Sequence, residues 1–187
     1  MSSNRTILRD GIAQYLGGTF VAEERAWQNG PLVSSGLGTV RAAFPKGLAD
    51  QDMFAMLPVG RAMGAFMVVR LGPSKNVRRS VGGKPVVTSG TITTGGIRFR
   101  TYRVLLEVFH IAQAQYAEDE QQDLDDLLYA IEYLIMEDPT LGGICTQAGE
   151  GRFGIEIRPG LPAVDPDRGR TGTWAQIEFE VLTQELG

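Results

Sequence analysis

The chain has little of the chemistry that most catalytic and metal sites need. Its 187 residues include a single cysteine, Cys145, and a single histidine, His110. A lone cysteine excludes an internal disulfide framework and is typical of synthesis in a reducing compartment. A zinc site needs several cysteine or histidine ligands. A catalytic triad would have to use His110, which lies in an alternating apolar segment, and the chain has no G-x-S-x-G motif to provide the nucleophile. We therefore expect no catalytic residues, no metal and no cofactor.

Long apolar runs are also missing. No stretch approaches the roughly 20 apolar residues that cross a bilayer, and the polar start MSSNRT lacks the apolar segment of a signal peptide. We therefore expect no membrane partner. The hydrophobic fraction of 43% and the charged fraction of 21% are typical of a globular chain. The length suits one domain, so we predict a single domain over residues 1–187.

Phosphate-binding and metal-binding motifs are incomplete. The stretch Gly82–Lys84 has the Gly-Gly-Lys of a phosphate loop, but Pro85 replaces the Ser or Thr that would hold magnesium, and no helix pattern follows. Asp123, Asp125 and Asp126 are close in sequence, yet acidic residues are common at the start of a helix on electrostatic grounds alone. We interpret these three carboxylates as a solvated helix face.

The charge is divided between the two parts of the chain. Residues 1–110 contain 14 Lys or Arg and 6 Asp or Glu, a balance of +8, whereas residues 111–187 contain 4 and 16, a balance of −12. Such asymmetry indicates a basic surface for nucleic acid, an acidic surface for a partner, or two surfaces that attract each other between copies. Two solvated faces without a partner are the simplest alternative. We favour contact between copies.

Hydrophobic periodicity predicts the secondary structure. An apolar stripe at i, i+4, i+7 and i+8 predicts a helix over residues 3–16. Between residues 19 and 58 only Thr39–Phe44 is strand-like, and the apolar run Arg61–Leu71 predicts a buried strand. Alternation over Arg98–Gln113, with apolar residues on both faces, predicts a long central strand.

Residues 72–96, between these two long strands, are rich in Gly, Ser, Thr and basic side chains. This composition predicts an extended basic hairpin or a long loop, and such loops are usually functional or disordered. Aromatic residues are few here and no zinc-finger or RNP motif is present, so we expect no sequence reading of nucleic acid. The basic residues of the segment are Lys75, Arg78, Arg79 and Lys84.

The clearest element is an acidic amphipathic helix from Glu118 to Asp138. Carboxylates crowd its first turns, where the helix dipole stabilises each by about 0.3 to 1 kcal/mol, and Pro139 ends it. Its apolar residues recur at helical spacing and predict one buried side. They are Leu124, Leu127, Leu128, Ile131, Leu134 and Ile135.

After this helix the pattern predicts short strands over residues 140–158, a loop over 160–172 and a final strand Trp174–Leu182. In the last strand apolar and polar residues alternate, which predicts one buried face and one face in water. The apolar set is Ile177, Phe179 and Val181, and the polar set is Gln176, Glu178 and Glu180. Together these elements predict an α+β fold, with a mixed, largely antiparallel sheet packed by the N-terminal helix and the acidic helix.

The order of these elements resembles that of bacteriophage tail terminator proteins. The resemblance covers most of the chain: an opening helix, strands with a basic excursion, the strand RTYRVLLEVFHIA, the helix and its exit QDLDDLLYAIEYLIMEDPTLGGICTQA, and the last strand WAQIEFEVL. Its most specific part is the helix Leu127–Ile131 followed by the exit Asp138–Gly143. There Pro139 ends the helix, Leu141 can return to the core, and Gly142-Gly143 permit a tight strand entry.

This resemblance implies a structural virion protein and not an enzyme. It implies a homo-oligomeric ring, commonly a hexamer, that caps the finished tail tube, stops its polymerisation and offers a surface to the head–tail connector. DNA would pass through the lumen without sequence reading. The chain would assemble in the host cytoplasm and be located at the tail–neck junction of the virion. Alternatives are another neck, tail-completion or tail-tube component, a small enzyme that relies on carboxylates and Arg, or a small nucleic-acid-binding domain.

Two hypotheses place particular residues in such a ring. The acidic helix surface, with Asp119, Asp123 and Asp126, would form a subunit interface with basic residues of a neighbouring copy. The basic segment would lie at the lumen or on the edge that faces the tube, because phosphate contact needs positive charge more than exact spacing. Its residues in this hypothesis are Lys75, Arg78, Arg79 and Lys84.

Overall fold

The fold was analysed in a computed structural model of the chain. The residues it describes are 4–43, 64–79, 86–88, 91–93, 97–112, 117–150, 154–160, 163–165 and 170–186. The helices of these ranges are α1 Asn4–Gly17, α2 Ala117–Glu137 and the single 3-10 turn Val33–Ser35. The strands are β1 Gly18–Val21, β2 Ala26–Asn29, β3 Leu37–Arg41, β4 Gly64–Arg79, β5 Val86–Thr88, β6 Thr91–Thr93, β7 Ile97–Ala112, β8 Gln147–Ala148, β9 Glu156–Pro159, β10 Ala163–Asp165 and β11 Arg170–Leu186.

One mixed, largely antiparallel sheet organises the described part of the chain, which confirms the predicted fold class. Its strands follow the order β1-β2-β3-β4-β7-β11-β10, and β8 and β9 also pair with β11. The pair β3–β4 is parallel and the other pairs are antiparallel. The strand predicted over Arg98–Gln113 is β7, and it is central because β4 and β11 flank it along nearly its whole length.

The predicted basic hairpin is part of this sheet. Strands β4 and β7 pair from Gly64 opposite Ile111 out to Arg79 opposite Ile97, so the hairpin begins within the sheet and extends beyond residue 72. The pairing is irregular between Leu71 and Ser74. Gly72-Pro73 lies at this irregularity, where a proline that cannot donate a backbone hydrogen bond is tolerated. Between the two long strands, β5 and β6 form a small hairpin of their own.

Both helices cover one face of the sheet. Helix α1 packs on β1 to β4, whereas α2 packs on β7 and β11. The predicted stripe of α2 is confirmed, since five of its members are buried and Leu134 is half-buried. Each fully buried Leu or Ile side chain contributes roughly 1.5–3 kcal/mol relative to exposure. The facing residues of the two central strands are Tyr102, Val104, Leu106 and Val108 on β7, and Ala175, Ile177, Phe179 and Val181 on β11.

The exit of α2 is a tight turn held by one side chain. The Asp138 carboxylate accepts hydrogen bonds from the Thr140 backbone N–H (3.0 Å), the Thr140 hydroxyl (2.6 Å) and the Gly142 backbone N–H (2.7 Å). Leu141 adopts a φ of 50°, unusual for a leucine, and its side chain is fully buried. Gly142 also has a positive φ, and a Cβ there would lie 3.3 Å from the Tyr15 ring. The chain thus turns before β8, where the sequence had predicted direct entry into a strand.

Two strand regions differ from the sequence prediction. The stretch between α1 and β3 forms the β1–β2 hairpin, although only Thr39–Phe44 had been predicted as a strand there. The predicted loop 160–172 contains β10, which pairs with the start of β11. These strands have three or four residues each. Alternation cannot be recognised over so few positions.

Candidate assembly surfaces

The outer side of α2 carries the predicted acidic surface. At 3.6 residues per turn, Asp119, Asp123 and Asp126 fall within about 60° of one another around the helix, so the structure brings these three positions to one side. The side chains of Asp123 and Asp126 are exposed. Asp123 lies at the edge nearest the sheet, where its charge acts on His110.

An apolar stripe that the sequence reasoning missed runs along the same outer side. Tyr129 is 69% exposed, Tyr133 57% and Met136 67%. Their i, i+4, i+7 spacing places them in one row about 150° around the helix from the buried residues. We call this row the tyrosine stripe. In the sequence these three residues form a second apolar series on α2, in addition to the series that predicts its buried side.

Three basic residues of the hairpin occupy positions on β4. Lys75 is exposed, and Arg78 and Arg79 occupy the last two positions of the strand, whereas Lys84 lies outside the described residues. The register sets Arg78 directly opposite Arg98 of β7. Like charges on opposite positions of neighbouring strands are unfavourable by themselves, so this end of the hairpin suits an anionic partner.

A groove with arginines on its rim lies where α1 meets β4. It has a volume of about 400 Å³, and Ala42, Val69 and Leu71 contribute apolar atoms to its wall. Arg5 donates hydrogen bonds from Nη2 to the carbonyl oxygens of Leu71 (2.7 Å) and Gly72 (3.1 Å). Arg9 also lines the space, and its Nε lies 3.6 Å from the Asp10 carboxylate, with which it forms an ion pair. We call this space the arginine groove.

The face of the sheet away from the helices carries ion pairs. Arg70 pairs with Glu107, and Arg103 pairs with Glu178 across β7 and β11. Arg158 lies 3.8 Å from Glu178. The prediction that Glu178 would lie in water is therefore wrong. Its side chain is only 11% exposed, because two arginines pack over it.

A cavity of about 280 Å³ on this same face gathers Glu156, Glu178 and Glu180 with Lys75 and Arg103. Such a gathering of carboxylates is the feature that an acid–base enzyme would need. The side-chain hydrogen bond from Arg158, however, holds the pKa of Glu156 below its usual range. A general acid needs the opposite shift, so the arrangement at Glu156 favours structural ion pairing.

His110 lies in the interior, beside Thr173 on the neighbouring strand. Burial lowers the pKa of His110, and the Asp123 carboxylate offsets part of this shift. Its Nδ1 and the Thr173 hydroxyl have no hydrogen-bond partners among the described residues. No described group of three or more His, Cys, Asp or Glu residues has the arrangement of a metal site.

Within the described ranges, neither helix is both long and apolar enough to cross a membrane. Comparison of the sequence with protein-family models and with curated proteins finds no match. The surfaces themselves and the order of the elements are therefore the features that bear on function.

Proposed function

We propose that this chain is a structural virion protein whose copies form a ring at the end of a bacteriophage tail tube. The ring caps the tube, stops its polymerisation and joins it to the head–tail connector. The observation that carries the proposal is the separation of opposite charges on one fold, acidic along α2 and basic along the β4–β7 hairpin and the arginine groove. A cyclic oligomer needs two different, complementary surfaces on each copy, and opposite charge orients that contact.

The exit of α2 supports the same proposal. The sequence resemblance to tail terminators is most specific at Asp138–Gly143, and in the structure this segment is an ordered turn held by Asp138. Leu141 returns to the core there, as the sequence pattern of the helix exit had led us to expect. Because the Asp138–Gly143 segment forms a defined turn, its resemblance supports the proposal more strongly than a similarity in an irregular loop would.

The partners of such a ring follow from its position. Further copies of the chain would contact its sides, with the acidic positions Asp119, Asp123 and Asp126 at the subunit interface. The tail tube protein and the connector would contact its two ends, and DNA would pass through its lumen without sequence reading. We assign the basic hairpin to the lumen or to the tube-facing edge, because Lys75 is exposed and Arg78 lies opposite another arginine.

Capping is tested by adding the purified chain to polymerising tail tube protein from the same phage. Tube length is then measured by negative-stain microscopy against time. We expect elongation to stop at sub-stoichiometric amounts of the chain, with extra density at one tube end. Tubes that elongate at the same rate with bare ends at every concentration would exclude the capping role.

A nucleic-acid-binding domain is the second candidate, and the Arg78–Arg98 register pair is the observation that favours it. The two functions differ in what a single copy does. A monomer that binds DNA with submicromolar affinity and a steep salt dependence would support this candidate. A ring that caps tubes while its subunits bind DNA only weakly would support the proposed capping function.

A further inference from the structure

The tyrosine stripe needs a partner that the described chain does not provide. Single exposed apolar side chains are normal on protein surfaces, but a contiguous apolar row bordered by polar residues is typical of an interaction site. Tyr and Met are also enriched at the centres of protein–protein interfaces. All three members of the stripe are more than half exposed, although five apolar residues on the opposite side of the same helix are buried.

The charges beside the stripe restrict the nature of this partner. By helical geometry Asp125 and Glu132 lie along one side of the row, and Asp126 and Glu137 lie along the other. No Lys or Arg occurs anywhere in residues 111–151. Contact between two copies of this helix along the row would therefore be unfavourable, because every flanking charge would meet a like charge. The stripe requires a basic surface with apolar content.

The arginine groove has these properties. Ala42, Val69 and Leu71 provide apolar wall. Arg5 provides positive charge at the rim, and Arg9 adds a second guanidinium, whose Nε is ion-paired with Asp10. The hydrogen bonds that Arg5 donates to Leu71 and Gly72 use one nitrogen and end on backbone carbonyls, and no carboxylate of the described residues pairs with it. A guanidinium has five N–H donors, so Arg5 keeps donors for an incoming carboxylate. The groove volume of about 400 Å³ lies in the range of about 300–1,000 Å³ typical of ligand pockets.

The stripe cannot reach the groove of its own copy. Helix α2 is fixed through its buried side on β7 and β11, so its outer side points away from the sheet. The groove instead lies between α1 and the β3–β4 part of the sheet. A contact between the two surfaces must therefore join two copies, and it is heterologous because each copy contributes a different surface.

We propose that the tyrosine stripe of one copy docks into the arginine groove of a second copy, with Tyr129 or Tyr133 against the apolar wall and the flanking carboxylates on Arg5 and Arg9. The inference rests on the proposed ring and supplies its subunit contact. It adds aromatic anchors to a contact for which only charge had been considered. Aromatic and arginine residues are the side chains that most often dominate such interfaces.

The test uses two variants that each lose one half of the contact. The stripe variant is Tyr129→Ser/Tyr133→Ser, and its groove is intact. The groove variant is Arg9→Glu/Ala43→Glu, and Ala43 also lines the groove. It leaves the hydrogen bonds of Arg5 in place and has an intact stripe. Matched controls are Val33→Ser, an exposed apolar residue elsewhere, and Arg25→Glu, an exposed arginine elsewhere.

Masses in solution are measured by light scattering after size exclusion, for each protein alone and for the two variants mixed. We expect the wild type and both controls to form the ring, and each variant alone to be monomeric with an assembly affinity reduced at least about tenfold. The mixture should give a one-to-one dimer and nothing larger, since it contains one complete contact.

A stripe variant or a groove variant that still forms the wild-type ring would overturn the docking contact while leaving the ring function standing. Two monomeric variants that do not form the dimer would also overturn it. A wild type that stays monomeric at all concentrations and does not cap tubes would overturn the ring and the contact together. Circular dichroism melts establish that each variant is folded, and Met136→Lys provides a second stripe variant at an exposed position.

Discussion

The Asp138 carboxylate accepts a hydrogen bond from the Gly142 backbone N–H at 2.7 Å and thereby closes the turn after α2. Hydrogen bonds from Thr140 to the same carboxylate complete the arrangement. The hydrogen bond from the Thr140 side chain, followed by the one from the Gly142 backbone N–H, holds the pKa of Asp138 below its usual value of 3.8. The turn that returns Leu141 to the core is therefore coupled to the charge of one half-buried side chain.

The first prediction concerns this turn. Asp138→Ala should lower the melting temperature at pH 7, because the ionised carboxylate is the form that accepts these hydrogen bonds. The pKa of the folded state is depressed, so the stabilisation is fully present above the unfolded pKa near 3.8 and is lost as pH falls through the folded value. The difference between wild type and variant should thus be constant at neutral pH and shrink below about pH 4.

Thermal melts between pH 2 and 8 measure it, with Glu23→Ala as the control. A difference in melting temperature that does not depend on pH would show that the charge of Asp138 does not stabilise the turn.

The second prediction separates the two sides of α2. Leu127→Ala and Ile131→Ala should each lower the free energy of unfolding by about 2–5 kcal/mol, because both side chains are fully buried. Tyr129→Ala should change it by no more than about 0.5 kcal/mol, because that side chain is exposed. Urea denaturation of the monomeric state measures all three. Equal losses on both sides would contradict the assignment of the outer side to a partner.

Cys145 gives a third prediction. Burial raises the pKa of the Cys145 thiol to about 11. Its Sγ donates weak hydrogen bonds to the carbonyl oxygens of Thr140 (3.3 Å) and Pro139 (3.5 Å). The nucleophilic thiolate is therefore scarce at pH 8, and the native protein should react with Ellman's reagent far more slowly than the same protein in urea. Equal rates in the two conditions would show that the thiol is accessible.

The fourth prediction tests the acidic positions of the proposed interface. Changing Asp119, Asp123 and Asp126 to Lys should weaken ring formation, because the substitutions place cations opposite a basic neighbouring surface. The effect should be largest at low salt and smaller at high salt, since exposed charges are screened. Sedimentation across a salt series measures it. Assembly that is unaffected at every salt concentration would remove these residues from the interface.

The fifth prediction tests the basic hairpin. Replacing Lys75, Arg78, Arg79 and Lys84 by Ala should weaken binding of double-stranded DNA uniformly across sequences. Each phosphate contact that is lost should reduce the slope of log affinity against log salt by about 0.9. Filter binding or fluorescence anisotropy gives the slope directly. An identical slope in wild type and variant would place this hairpin away from DNA.

The elements with long periodic patterns could be predicted closely. Helix α2 begins and ends within one residue of the predicted bounds because six apolar residues repeat at helical spacing. The strand predicted over Arg98–Gln113 coincides with β7 to within one residue at each end. By contrast, β1 and β2 have four residues each, too few for alternation to identify them.

The surfaces were harder to predict, for two physical reasons. The Arg103–Glu178 pair joins residues 75 positions apart and depends on the register of β7 against β11, which composition and periodicity do not specify. Periodicity identifies the side of a helix that is buried, but it does not indicate whether further apolar residues on the other side have a partner. The tyrosine stripe was missed for that reason, although the acidic residues around it were predicted.

Copies of this chain are proposed to close into a ring. Mass photometry of the purified wild-type protein over a concentration series, combined with negative-stain imaging of the same samples, tests it most directly. We predict one discrete oligomer with a central hole whose population rises with concentration. A single species with the mass of one chain at every concentration, with and without tail tube protein, would contradict the account.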